Sequence, residues 1–512
     1  MKRIVNITAA FIIAATPAMA QTTVTVHDTI PEAPVISKEL HGQFSEHLGS
    51  GIYGGIWVGE DSPIPNEDGY RLDVLEALRN LDIPVLRWPG GCFADDYHWM
   101  DGIGPREDRP VISNNNWGGT MEDNSFGTHE FLNLCEKLGC APYVSGNVGS
   151  GTIEEMAKWV EYMTSDRPSS VVAMRKANGR EKPWDVKYFG IGNEAWGCGG
   201  DMTPEYYSDL FRRYSTYLRN YGDNRLYKIA SGASDYDRNW TDVLTKHIGA
   251  RMQGIAMHYY TVRRWNGKGS ATEFSDRDYA LTLAKAVGIE SAIKGHLEVM
   301  DRNDPAHRVD LIVDEWGTWY DVEPGTDPGH LHQQNTMRDA MVAALSLNIF
   351  HRHCDRIRMA NIAQMVNVLQ AMILTDTEGH MVLTPTYHVY EMYKVFQDAE
   401  FLPVDNDSPM KVVAGETYPG LDVTAARKDG KVFVAVTNTG LVSDLPVVIA
   451  LDSKVTKSSA RILTCTDIRD HNTFSAPHKV EPTGFYSYKN RNGRLEFTMP
   501  SKSIAVFELS AE

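Results

Sequence analysis

The sequence is short of the features that mark several common functional classes. Its six cysteines, Cys92, Cys135, Cys140, Cys198, Cys354 and Cys465, are scattered, and no metal-type pair recurs. Nothing in their spacing fixes a disulfide, and most read as small core residues. Positive charge is in deficit, with 50 Lys and Arg against 67 Asp and Glu and a formal net charge of −17. Binding phosphates or anionic lipid needs a basic face, so nucleic-acid and membrane-surface partners are excluded. The acidity serves solubility. Beyond the N-terminus no apolar run approaches the roughly 20 residues that span a bilayer, so no membrane insertion is expected. Internal repeats and low-complexity segments are also lacking.

The first residues follow a different pattern. Lys2 and Arg3 precede an apolar stretch through Ile12, Ile13 and Ala14, which ends in Ala18-Met19-Ala20 before Gln21. This is the layout of a signal peptide over residues 1–20, cut after Ala20, and it predicts a periplasmic or secreted protein. Loss of the two basic residues would take the charge from −17 to −19.

From about residue 40 to 395 short apolar strands alternate with amphipathic helices. Val85 to Trp88, Ala141 to Asn147, Val186 to Ile191, Ile229 to Gly232, Ile255 to Tyr259 and Val309 to Val313 read as strands. Helices are expected over Phe126–Leu138, Thr152–Tyr162, Pro204–Tyr221, Trp240–Ile248 and Thr336–Phe350, with Thr152 as a cap and Glu155 three residues on. Such alternation implies parallel strands joined by right-handed crossovers, and the number of units points to a (β/α)8 TIM barrel. An open sheet with a glycine-rich phosphate loop fits less well, since Gly49-Ser50-Gly51 is a poor match. From residue 396 to 512 the pattern becomes strand after strand, with a hairpin signal at Lys428-Asp429-Gly430-Lys431. This end is expected to be an antiparallel β-sandwich, joined by a strand from the N-terminal stretch 21–39.

Active sites of such barrels lie at the carboxyl ends of the strands. The polar residues expected there are Glu46, Arg87, Asn147, Asn193, Glu194, His258, Tyr260, Asp314 and Glu315, many followed at once by Gly, Trp or Tyr. A lone Glu at a strand end is usually a solvated carboxylate. An Asn-Glu pair ending one strand and a second Glu ending a strand three units later suit glycoside hydrolysis instead. One carboxyl then donates a proton to the leaving oxygen while the other, ionised, attacks the anomeric carbon.

The motifs go further. His41 to Gly49, Gly51 to Trp57, Arg87-Trp88-Pro89-Gly90-Gly91, Asp101 to Pro105, Gly192-Asn193-Glu194-Ala195-Trp196-Gly197, His258-Tyr259-Tyr260-Thr261, Asp314-Glu315-Trp316 and Asn361 to Asn367 resemble the family 51 α-L-arabinofuranosidases. The likeness covers nearly the whole chain from Gln21. It implies release of terminal α-L-arabinofuranosyl groups from arabinose-containing oligo- or polysaccharides with retention, without metal or organic cofactor, by a homo-oligomer. It also implies Glu194 as acid/base and Glu315 as nucleophile. Asn193 would bond the sugar 2-hydroxyl, Glu46 would bind furanose hydroxyls and Arg87 would keep the nucleophile ionised. His258, Tyr260, Asn147 and Trp316 would line the sugar pocket. Many members carry Asn where this chain has Cys92, and a thiol is a weak hydrogen-bond partner. Asp95, Asp96 and His98 invite a metal reading, but adjacent Asp residues are more often solvated or capping. An endo-glucanase, a β-xylosidase or a non-catalytic carbohydrate-binding protein on the same scaffold are the competing readings.

Overall fold

The structure is a computed structural model that describes residues 21–512, so the leader read over residues 1–20 lies outside the described residues. Eight parallel strands close into a barrel: Gly42–Phe44, Val85–Trp88, Ala141–Gly146, Tyr188–Ile191, Tyr227–Ser234, Gly254–Thr261, Asp310–Thr318 and Ile357–Ala363. The last pairs back onto the first, with Ile362 beside Gln43. Inward side chains Val85, Tyr143, Tyr188, Ile229, Ala256, Ile312 and Met359 fill the barrel as one apolar layer. That plug leaves the carboxyl ends of the strands as the open mouth.

Local signals explain most of the helices. Thr152 caps Ile153–Thr164 by accepting from the Glu155 backbone N–H at 3.1 Å. Gly139 ends Thr128–Leu138 in the left-handed conformation, φ 70°, which costs glycine nothing. The helices expected near Pro204, Trp240 and Thr336 run over Pro204–Tyr217, Arg238–His247 and Met337–Arg352. The 28-residue helix Asp276–Asn303 had no counterpart in the sequence reading. Its buried residues mix alanines, a glycine, Thr282 and His296 with the larger apolar side chains, a weak periodic signal.

The C-terminal part forms two sheets around a second core that includes Val24, Val434, Ile449, Phe497 and Phe507. Lys428 and Lys431 face each other across a turn whose Asp429 and Gly430 have φ 51° and 73°, the geometry of a tight hairpin. Met410–Val413 and Glu416–Pro419 pair as a separate small hairpin outside these two sheets. Thr22–Val26 inserts in the sandwich, parallel to Leu445–Leu451 and antiparallel to Val404–Asn406. The two parts are sewn together by Asn348, which donates to Asp422 at 2.8 Å, and by Tyr279, which donates to the Thr439 carbonyl at 2.9 Å.

Candidate active site

Strand register brings the polar residues together. His258 on the Gly254–Thr261 strand lies beside Glu315 on Asp310–Thr318. A bulge before Trp316 lets both Asp314 and Glu315 project toward the barrel axis. Glu194 stands just past Tyr188–Ile191, after Gly192, with φ 83° and 40° at the two positions. For a non-glycine residue the second value is a strained backbone, of the kind that accumulates at functional sites. Two N–H groups of the following turn, from Gly197 and Gly199, donate to the Glu194 carbonyl and hold it there.

Glu194 and Glu315 share a neighbour. His258 Nδ1 is 2.8 Å from Glu194 Oε1 and 3.5 Å from Glu315 Oε2, while its Nε2 is 3.2 Å from Asp314 Oδ1. One oxygen of each glutamate and one His258 nitrogen all lie within 4.8 Å of one another. Burial opposes charge on His258, but Glu315, Asp314 and Glu194 outweigh it and push its pKa up to about 10. The ring is therefore an imidazolium at neutral pH, with a carboxyl group beside each nitrogen.

The nucleophile candidate has three further contacts. Arg87, 1% exposed, donates to Glu315 Oε1 at 2.8 Å and to Asn193 Oδ1 at 2.6 Å. Tyr260 Oη donates to Glu315 Oε2 at 2.9 Å. Gly91 forms the wall: a Cβ there would lie 2.7 Å from Glu315 Oε1, so only glycine allows this approach. Burial would raise the Asp314 pKa, yet Arg87 and His258 hold its carboxyl below the usual range. Asn193 Nδ2 is buried without a protein partner. A buried amide N–H without an acceptor is costly.

Other expected residues have different work. Glu46 Oε1 accepts from the Gly91 and Phe93 N–H groups, and Oε2 accepts from Gln364 at 3.2 Å. Burial, with Glu315 nearby, pushes its pKa up to about 7. Asn147 is consumed by its own turn: it accepts from the Ser150 and Gly151 N–H groups and donates to the Tyr97 carbonyl. Trp316 is turned away from the mouth, 1% exposed against Phe350 at 5.2 Å, so its expected place in the sugar pocket is corrected. Cys92 is neither a free thiol nor a packing residue; it is disulfide-bonded to Cys198. Their sulfurs lie 4.0 Å and 3.5 Å from Glu194 Oε2.

Two supporting residues were not anticipated in their roles. Gln364 braces Glu46 from the segment after the eighth barrel strand. Asp95, buried, collects three backbone N–H groups: Val148 at 2.7 Å, Gly149 at 3.0 Å and Asn193 at 2.8 Å. It is thus neither solvated nor a metal ligand, and burial, only partly offset by these donors, pushes its pKa up to about 7. Asp96 contacts Asn116 and His98 contacts Glu155, so the three do not converge. Among the described residues, two groupings of metal-competent side chains lie at the barrel mouth, Glu194 with His258 and Glu315, and Glu194 with Cys92 and Cys198. In the first His258 contacts both glutamates, and in the second the two cysteines are joined as a disulfide. No helix among the described residues is long and apolar enough to cross a membrane.

Comparison with known proteins bears directly on this site. The profile of the α-L-arabinofuranosidase 1 domain matches residues 77–270, and that of the α-L-arabinofuranosidase C-terminal domain matches 314–503. An intracellular exo-α-L-arabinofuranosidase of Bacteroides ovatus is 56% identical over 99% of this chain and 100% of its own length. The crystal structure of a GH51 arabinofuranosidase from Xanthomonas axonopodis pv. citri has 46% identity and a TM-score of 0.94, covering 96% of this chain and 100% of that one. An α-L-arabinofuranosidase from Thermotoga maritima, solved with arabinose, has 30% identity and a TM-score of 0.84, covering 95% and 99%. The Bacteroides relative also corrects the reading of the N-terminus. It aligns over 99% of this chain yet is named for an intracellular enzyme, so the predicted periplasmic or secreted location does not stand. A basic pair before a short apolar run is a compositional cue of low specificity, and it yields to a full-length match. With both domain profiles, a 56% identical relative and a shared architecture, this chain belongs to the family 51 α-L-arabinofuranosidases.

Proposed function

We propose that this protein is a retaining, exo-acting α-L-arabinofuranosidase in which Glu315 is the nucleophile and Glu194 the acid/base. The observation that carries this reading is the approach of the two carboxyl groups, with one oxygen of each within 4.8 Å of the other. Retaining pairs stand about 5–5.5 Å apart and inverting pairs roughly 6.5–9.5 Å, which leaves room for a water.

Glu315 attacks the anomeric carbon while Glu194 delivers its proton to the departing oxygen, so that the glycosidic bond breaks as an ester bond forms. Arg87 and Tyr260 each donate to one Glu315 oxygen and fix the side chain for the attack. Glu194, left as a carboxylate beside the His258 imidazolium, then takes a proton from water as that water cleaves the ester. Asn193 Nδ2, lacking a protein acceptor, donates to the sugar 2-hydroxyl, a contact that strengthens as the ring gains positive charge. The substrate class is arabinose-containing plant oligo- or polysaccharides, from which terminal furanosyl groups are removed.

A panel of nitrophenyl glycosides tests the assignment with the wild type, Glu194→Ala and Glu315→Ala. The α-L-arabinofuranoside is expected to be cleaved best, with activity lost in Glu315→Ala. Azide is expected to restore turnover in Glu194→Ala as a glycosyl azide of retained configuration. Full activity in either variant, or an inverted product, refutes the assignment.

A further inference from the structure

Asp314 takes no part in making or breaking bonds to the sugar, yet it is 1% exposed and faces the same ring as the two glutamates. It and Glu315 are consecutive on one strand, where alternation would send one of them away from the barrel axis. The bulge before Trp316 turns both inward, so their carboxyl groups bracket His258. Asp314 is anchored by one oxygen: Oδ2 accepts from Tyr143 Oη at 2.7 Å and lies 3.6 Å from Arg87 Nε. Its other oxygen, Oδ1, faces His258 Nε2 at 3.2 Å, and among the described residues no other donor reaches it. Arg87 and His258 keep this carboxyl ionised. A carboxylate only accepts, so the edge of the ring that it faces carries a proton.

The far edge of the ring meets Glu194. His258 Nδ1 is 2.8 Å from Glu194 Oε1 and 3.5 Å from Glu315 Oε2. A neutral ring protonated on Nε2 would present a lone pair at Nδ1 and draw the Glu194 proton onto Oε1, toward the ring and away from the substrate. A ring protonated on both nitrogens donates to Oε1 instead and leaves the transferable proton to Oε2. The groups around the ring favour the second state: Glu194, Asp314 and Glu315 face it, with Arg87, Tyr143 and Tyr260 paired to those carboxyl groups, and its pKa is raised to about 10. Oε2 meets no competing N–H or O–H donor among the described residues. The sulfurs of Cys92 and Cys198 lie beside it, and as a disulfide they have no S–H to offer.

We propose that Asp314 is a positioning residue for the acid/base: by holding the Nε2 edge of His258 it fixes the Nδ1–H on Glu194 Oε1 and reserves Oε2 for the proton that is transferred. This deepens the catalytic reading above and rests on it. In the first step the Oε2 proton passes to the leaving oxygen as the glycosidic bond breaks and the bond from the anomeric carbon to Glu315 forms. In the second, water attacks that carbon, its proton passes to Oε2, and the electron pair of the ester bond returns to Glu315. His258 keeps both its protons throughout.

Two kinds of measurement test the proposal. The first is nitrogen-15 NMR of labelled histidines, with the His258 signal identified by its loss in His258→Gln. The wild type is expected to show both ring nitrogens protonated at neutral pH; a singly protonated ring overturns the proposal. In Asp314→Asn the ring pKa is expected to fall by roughly 1–3 units, as when an opposite charge is removed from contact distance, and an unchanged pKa overturns it. The second compares kcat/KM on methyl and dinitrophenyl α-L-arabinofuranosides, since only the methyl leaving group depends on the proton. The ratio of dinitrophenyl to methyl values is expected to rise roughly tenfold or more in Asp314→Asn, part of the about 10²–10⁴-fold that general acid catalysis supplies. An unchanged ratio, as when both activities fall alike because Arg87 has lost its partner, overturns the proposal. In the His258→Gln background the same substitution is expected to leave the ratio where it was, because the effect passes through the ring; a further rise of the same size overturns it. Full activity in Glu194→Ala would instead refute the catalytic reading.

Discussion

Replacing His258 with Gln removes the one cation that touches both Glu194 and Glu315, and the structure sets the size of the effect. The ring is buried among Glu194, Asp314 and Glu315, with Arg87 and Tyr260 completing the charged and titratable groups around it. Its pKa is raised from 6.5 to about 10. A raised histidine pKa means that the folded state binds the proton more tightly than the unfolded chain. The resulting stability is fully present below pH 6.5 and is lost as pH rises through 10. At 1.36 kcal/mol per unit, the shift of about 3.5 units gives an upper bound of about 5 kcal/mol, of which about 3 kcal/mol disappears between pH 6.5 and 9.5. Urea unfolding at these two pH values checks this. The wild type is expected to lose about 3 kcal/mol more than His258→Gln over the same interval. Equal losses in the two proteins would show that His258 does not carry the bridging charge. The variant is also expected to lose the alkaline limb of the activity profile that His258 contributes.

Arg87→Met strips Glu315 and Asp314 of their shared cation in a buried setting; breaking such a pair costs about 3–5 kcal/mol, and chemical denaturation together with loss of turnover would register it. Asp95→Asn leaves one carbonyl oxygen for three backbone donors, so a charged hydrogen bond worth about 1.5–3 kcal/mol is lost at Asn193 or at the Val148–Gly149 turn. A fall in kcat of roughly tenfold or more with KM little moved is expected, and an unchanged kcat would show that the turn holds Asn193 without it. Reduction of Cys92–Cys198 with dithiothreitol is expected to cost about 2–4 kcal/mol of stability and to change the pH dependence of activity, because both sulfurs contact Glu194. Identical unfolding curves and pH profiles with and without reductant would contradict this.

That Glu194 and Glu315 meet at one end of the barrel was legible because both end strands of an alternating strand-helix pattern, and the barrel was legible from that same alternation. Trp316 was misplaced by adjacency. Past the bulge the strand resumes its alternation, so Trp316 faces away from Glu315 and packs on Phe350. Asn147 sits between a strand and Gly149, Gly151, the composition of a turn that consumes its amide. The partners of Asp95, Gln364 and Cys92 lie 53, 318 and 106 residues away along the chain. No local pattern encodes contacts of that range, so these roles appear only when the barrel closes.

The strand Thr22–Val26 is the first described element, yet its parallel neighbour is Leu445–Leu451. During synthesis it has nothing to pair with until the whole barrel has been made and Val404–Asn406 emerges, and its parallel neighbour comes later still. Val24 and Val26, both fully buried when folded, must wait through that interval exposed. The sandwich is thus a late clasp, with a contact distance that favours slow assembly and a window for mispairing.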